Sequence, residues 1–203
     1  MDYGIDISHY NTVNDWAAVA GNNITFASIK VTESVDFTDG VAGAHTAGAR
    51  SAGIHPGGYH FARDVAIDGQ VIHFVNTLQA HALLNNDAMA PMLDMEAAEL
   101  RDNADAFVTE FIRQYRFVTG LSRIFVYANL DWWTNVLSPN VWADDEVRLW
   151  IARYNGDPGN PGWYHPRLAL HQHTNQGVVP GIPGYVDRNA THGAFALEHL
   201  IIA

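Results

Sequence analysis

The chain contains no cysteine, which excludes a disulfide framework, a thiolate nucleophile and any Cys-based zinc site. Charge is also scarce, and basic charge most of all. Only 16% of the 203 residues are charged, with 11 Lys plus Arg against 22 Asp plus Glu, a net of −11. That balance repels phosphate backbones and argues against a nucleic-acid partner. No apolar run reaches the ~18 residues of a membrane span, so no membrane insertion is expected. The opening Met1-Asp2-Tyr3-Gly4-Ile5-Asp6 has no basic n-region and no apolar h-region, so no signal peptide is predicted. There is no Gly-x-Gly-x-x-Gly after a strand and no P-loop, and no nucleotide cofactor is implied.

What is present is a chain with 48% hydrophobic residues, far from the composition of a disordered segment. Its length favours one domain, taken as 1–203 with a core of about 3–190. The 11 histidines would bring the net charge to zero if all were protonated, so solubility should vary with pH between about 5 and 7. Eight short apolar runs read as strands: 3–8, 26–32, 57–61, 89–95, 124–128, 148–152, 168–172 and 184–187. Helical patterns fall between the early ones, at 40–51, 65–84, 102–119 and 130–137. The third places Phe107, Phe111, Ile112, Tyr115 and Val118 at spacings of three and four and closes at Gly120. Alternating strands and helices predict a parallel sheet, and eight such strands a β/α barrel. The stretches 155–162 and 174–184 are turn chemistry, rich in Gly and Pro. The expected fold is therefore an irregular, TIM-like α/β barrel. It has about five regular units, then three strands without intervening helices, some of them free to run antiparallel.

In such barrels the chemistry gathers at the carboxyl ends of the strands. Those ends carry Asp6, Glu33, Asp94 with Glu96, and Asp187. Single acids have plain structural readings: Asp6 and Asp187 as turn caps, Glu33 as an ion-pair partner of Lys30. Leu93-Asp94-Met95-Glu96 is sharper, because residues two apart on a strand share a face. Two adjacent carboxylates cannot both ionise freely, and a carboxyl still protonated near pH 6 can protonate a leaving oxygen. Paired acids in unequal roles suit glycosidic-bond cleavage. Tyr59, Phe61, Tyr127, Trp132, Trp133, Trp150, Tyr154, Trp163 and Tyr185 lie at or near strand ends, where aromatic rings suit the CH-rich faces of sugars. Ordinary packing accounts for about half of them, with Phe61 the clearest core candidate. His171-Gln172-His173 supplies a rival reading, a metal-dependent amidase or esterase using both histidines with His60 and Asp94. In the opposite strand register Gln172 faces inward and both histidines face out. A non-catalytic glycan-binding barrel is a third reading, disfavoured by the full set of acids.

As a set, the segments 6–11 (DISHYN), 26–33 (FASIKVTE), 58–61 (GYHF), 93–96 (LDME), 150–154 (WIARY) and 186–189 (VDRN) resemble glycoside hydrolase family 25. These are the muramidases, or lysozymes, common in phage endolysins. The resemblance implies an irregular β/α barrel that cuts the β-1,4 bond between N-acetylmuramic acid and N-acetylglucosamine in bacterial peptidoglycan. It implies no metal or other cofactor. It assigns Glu96 as general acid, Asp94 as its partner carboxylate, and Asp6, Asp187 and Glu33 as the remaining acids of the cleft. Tyr59, Tyr127 and Trp150 correspond to groove-lining positions, and Asn129, Tyr154 and Gln172 join them as candidate sugar contacts. Two departures bear on subsite detail: Ser34 where Gly often follows the Glu, and histidines flanking Gln172. The expected protein is a monomer, made in the host cytoplasm and acting on the wall.

Overall fold

The computed structural model describes residues 1–202. It begins with β1 (Tyr3–Ile7) and a short helix α1 (Trp16–Gly21), which the sequence reading missed. Six residues are too few for a clear periodicity, but Asp15 caps the helix by accepting a hydrogen bond from the Ala18 amide at 3.0 Å. Next come β2 (Ile24–Glu33), a two-residue β3 (Phe37–Thr38), α2 (Ala42–Ser51), β4 (His55–Phe61) and α3 (Ile67–Ala80). Then follow β5 (Met92–Asp94), a 3-10 turn over 98–103, α4 (Ala104–Thr119), β6 (Ile124–Asn129), α5 (Leu130–Asn135) and α6 (Pro139–Trp142). The chain finishes with β7 (Val147–Ala152), β8 (Leu168–Gly177) and β9 (Val186–Thr191). Gly120 ends α4 in the left-handed region at φ 72°, as its place after the last apolar residue predicted.

The sheet order is β1-β9-β8-β7-β6-β5-β4-β2-β3, and β1 also pairs with β2, so eight strands close into a barrel with β3 appended. Five strand–helix units come first, and β7, β8 and β9 follow with no helix between them. β7 and β8 are nonetheless parallel, while β9 runs antiparallel to both β8 and β1. Two strand bounds differ from expectation for physical reasons. β5 is only three residues long because Pro91, lacking an N–H, cannot extend its ladder. β9 sits later than 184–187 because Arg188, Asn189 and Thr191 are polar and carry no hydrophobic strand signal. Asp187 therefore stands near the start of β9, not at its end.

Two apolar layers hold the barrel. Outside the sheet, Ile5, Ile29, Leu93, Val126 and Leu149 pack with α3 and α4 through Phe74, Leu78, Phe107 and Phe111. Inside it, Phe26, Met92, Phe125, Trp150, Ala169 and Leu170 fill the interior. The end opposite the cleft is closed by the last described residues. Ala90 donates to the Leu200 carbonyl, Ile202 donates to the Ala88 carbonyl, and both apolar side chains join the inner cluster. The packed unit thus extends past the expected boundary near 190. No described helix is long and apolar enough to cross a membrane.

Leu200 is fully buried, so Leu200→Ala should lower the unfolding free energy by about 2–5 kcal/mol. Urea unfolding followed by tryptophan fluorescence measures it. A loss below about 1 kcal/mol would mean that this segment stands outside the cooperative unit.

Candidate active site

One end of the barrel opens into a cavity of about 270 Å³. Asp6, Ser8, Tyr10, Lys30, Tyr59, Phe61, Met92, Asp94, Glu96, Tyr127, Tyr154, Gln172 and Asp187 line it. Other surface hollows are as large or larger, such as the one of about 430 Å³ beside Leu197 and Ile201, but they hold at most one carboxylate each. Among these hollows of the described residues, several acids converge in this one alone.

The strands explain the convergence. Met92 faces the interior, Leu93 and Met95 pack into the outer layer, and Asp94 and Glu96 face the cleft, as alternation along a strand requires. In the antiparallel β1–β9 pair, Asp6 stands directly opposite Asp187 and Gly4 opposite Asn189. β2 carries a register shift between Lys30 and Thr32. Val31 and Thr32 consequently both face outward, and Glu33 returns to the side of Lys30, two positions that a regular strand would separate. Immediately after it, Ser34 adopts φ 56°. That left-handed conformation is free to glycine and costs other residues roughly 1 kcal/mol, which accounts for glycine being usual there.

Asp6 is held from behind. Its Oδ2 accepts 2.7 Å hydrogen bonds from the side-chain amides of both Gln172 and Asn189. Each amide is oriented in turn. The Trp150 indole N–H donates to Asn189 Oδ1 at 2.9 Å, and the Tyr127 hydroxyl donates to Gln172 Oε1 at 2.8 Å. Indole is a donor only, so it fixes which end of Asn189 faces Asp6.

Burial sets the electrostatics. It raises Asp94 well above the usual carboxylate range, Glu96 and Asp6 add to the rise, and Lys30 opposes it. Burial also raises Glu96; the field of Asp6 adds to this and a polar contact from Asn129 opposes it. Asp187 is pushed up to about 8, first by burial and then by Asp6 and Glu96. Asp6 is raised by burial, against the pull of its two amide donors. Burial and the surrounding carboxylates raise the Tyr59 and Tyr127 phenols, so both stay protonated donors. The cleft thus favours the protonated forms of its carboxyl groups, and Asp187 keeps its proton near neutral pH, the kind of environment that general-acid chemistry needs.

Three candidates sit elsewhere than expected. Trp150 is fully buried inside the barrel, bonded to Asn189, and does not face the groove. Asn129 caps α5, accepting from the Trp132 amide at 3.1 Å, and reaches the site only through Glu96. Glu33 has both oxygens committed: Oε2 accepts from Lys30 at 2.6 Å, and Oε1 accepts from Arg63 at 2.9 and 2.6 Å. Burial raises Glu33, but those two cations outweigh it and hold it below its ordinary value. Its ion-pair reading is the one the contacts favour.

The histidine constellation does not assemble. His60 lies outside the barrel wall, bonded to Thr32 and Gln70 and stacked on Phe111. His171 places its ring nitrogens against the carbonyls of Pro158 and Arg153, and His173 is buried on the same outward side. Among the described residues no three His, Asp or Glu side chains are grouped to hold a metal ion. The cleft also contains Tyr10 and Met92, which the sequence reading did not single out, and Lys30 and Phe61, which it read only as an ion-pair partner and a core residue. Phe61, taken for core, is half-buried and forms part of the cleft wall. Apolar character alone does not separate an interior ring from a wall ring.

Comparison with known proteins agrees with this arrangement. The family model described as "Glycosyl hydrolases family 25" matches residues 5–182. The chain is 27% identical over 208 residues to "Lysozyme M1" of Streptomyces globisporus, covering 95% of this chain and 68% of that protein. It is 27% identical over 175 residues to the "N,O-diacetylmuramidase" of Arthroderma benhamiae, covering 80% and 73%. Among solved structures, the lysozyme of Streptomyces coelicolor superposes with a TM-score of 0.81 at 25% identity, covering 98% of this chain and 94% of that one. With the barrel, the Asp94–Glu96 pair and the family match in agreement, the chain belongs to glycosyl hydrolase family 25.

Proposed function

We propose that the protein is an N-acetylmuramidase, a lysozyme that hydrolyses the β-1,4 bond between N-acetylmuramic acid and N-acetylglucosamine in bacterial peptidoglycan with retention. The observation that carries the reading is the Asp94–Glu96 pair, two protonatable carboxyls side by side in an open cleft walled by Tyr59, Tyr127 and Tyr154. The pair holds its protons jointly. Glu96 is its more exposed member, half-buried where Asp94 is buried, and so meets the glycosidic oxygen. It donates its proton as the bond to the anomeric carbon breaks, and later takes a proton from the attacking water. Asp94 Oδ1 is buried and has no hydrogen-bond partner. An unmet buried acceptor is costly, and a donor from the sugar, the N–H of its 2-acetamido group, would satisfy it. Asp94 then orients the acetamido group, whose carbonyl oxygen attacks the anomeric carbon in place of a protein nucleophile, a route known among retaining glycosidases. Asp6, beside Asp187 on the neighbouring strand and held by two amide donors, stabilises the positive charge that develops. The partner is peptidoglycan, met by a monomer.

Fragments released from purified peptidoglycan and reduced with borohydride should carry new reduced muramic acid ends, in equal yield with a chelator present. Free amino groups without new reducing ends would move the case to an amidase.

Glu96→Gln should lower turnover by about 10²–10⁴-fold while fragment affinity changes little, read from reducing-end release and calorimetric binding. Near-wild-type turnover in that variant would remove Glu96 as the acid.

Asp187 ionises near 4 when unfolded and is pushed up to about 8 in the fold, so the folded state binds the extra proton between those values. Stability from this group is complete below about pH 4 and falls as pH rises toward 8. Asp187→Asn should therefore raise the melting temperature more at pH 8 than at pH 4, and an equal shift at both pH values would contradict the assignment.

A further inference from the structure

Lys30 is the only lysine in the chain, and it lies in the wall of an acidic cleft. The residue is 8% exposed. Its Nζ donates to Glu33 Oε2 at 2.6 Å and lies 5.0 Å from the ring centre of Phe61 and 5.4 Å from that of Phe37. The β2 bulge that brings Glu33 back to this side makes that anchor reachable, and Arg63 holds the other Glu33 oxygen. Glu33 is thus neutralised twice over, and the Lys30 charge is not consumed by it alone. Lys30 shares the cleft with Asp94, Glu96 and Asp6, and it is the one cation among the lining residues.

We propose that Lys30 is a positioning residue for the acid pair: its anchored ammonium eases the ionisation of Asp94, so that the shared proton can pass to Glu96. The proposal rests on the muramidase reading, in which Glu96 must hold the proton while Asp94 accepts the acetamido N–H. Without a nearby cation, the more deeply buried Asp94 would retain the proton, because burial penalises its charge most. The groups that face Asp94 are Glu96 on its own segment, Asp6 from β1, Lys30 and Glu33 from β2, and the Tyr59 and Tyr127 phenols from β4 and β6. Lys30 is the only one of these that favours the carboxylate electrostatically, and it opposes the rise in Asp94. Lys30 itself contacts Glu33 and the Phe37 and Phe61 rings, shares the cleft lining with Asp94 and acts through the wall on His60. Glu33 and the two rings fix where the ammonium sits.

The test uses Lys30→Met and Lys30→Arg in the whole chain. Methionine keeps an apolar stem between the two rings, and Arg63 still holds Glu33. The first readout needs no substrate: Asp side-chain carboxyl carbons are ¹³C-labelled and titrated by NMR, with the Asp94 signal assigned through Asp94→Asn. In Lys30→Met the Asp94 titration should move up by about one pH unit or more, and Lys30→Arg should restore most of it. The second readout is the pH–rate profile on solubilised peptidoglycan. Lys30→Met should shift its acidic limb upward and lower kcat about tenfold or more, with KM within about threefold, and Lys30→Arg should recover most of kcat. An unchanged Asp94 titration in a folded Lys30→Met overturns the proposal. So does a rise in KM alone, which would make Lys30 a substrate contact. A wild-type protein that releases no reducing ends overturns the muramidase reading instead, and the carboxyl titration separates the two failures.

Discussion

Asp6, Asp94, Glu96 and Asp187 crowd one mouth of a closed barrel, and much of the surrounding structure manages that crowding. Like charges about 4 Å apart repel by roughly 4 kcal/mol in a partly screened protein site, and burial adds a desolvation cost for each ionised group. The fold answers these costs in three ways. It shifts Asp94, Glu96 and Asp187 toward their protonated forms. It gives Asp6 two amide donors, each oriented by an aromatic donor behind it. It takes Glu33 out of the acid set by pairing it with Lys30 and Arg63. The same crowding that strains the resting cleft holds a transferable proton where a glycosidic oxygen can reach it.

The irregular half of the barrel is part of this arrangement. In a regular β/α barrel every strand delivers its site residues from its carboxyl end. Here β9 is antiparallel and delivers Asp187 near its start, with Asn189 two residues further inside. The absence of helices after β7 and β8 lets loops cover the outer face there, and that is where His171 and His173 lie. Local strand polarity therefore separates two polar groups that look equivalent along the chain: the acids face in, and the histidines face out.

Legibility in the sequence followed the range of the interactions. The strand–helix alternation, the Gly120 cap, the bare last three strands and the shared face of Asp94 and Glu96 are local patterns, and the structure has all of them. Helices α1 and α6, of six and four residues, are too short for periodicity to register. The true span of β9 was hidden because its residues are polar and gain strand conformation from pairing with β1 and β8. Trp150 carries the residue type of a sugar platform, yet its ring fills the barrel interior. Residue type alone does not report the distance to solvent.

The sequence by itself determined the class of the fold and the presence of an acid pair at one strand end, because both rest on spacings within a few residues. Tertiary structure decided which acids share a cleft, which one is neutralised by cations, and that the single lysine lies among them. Those outcomes depend on contacts between strands far apart in the chain, on one bulge in β2 and on the direction of β9, and no local spacing encodes any of the three.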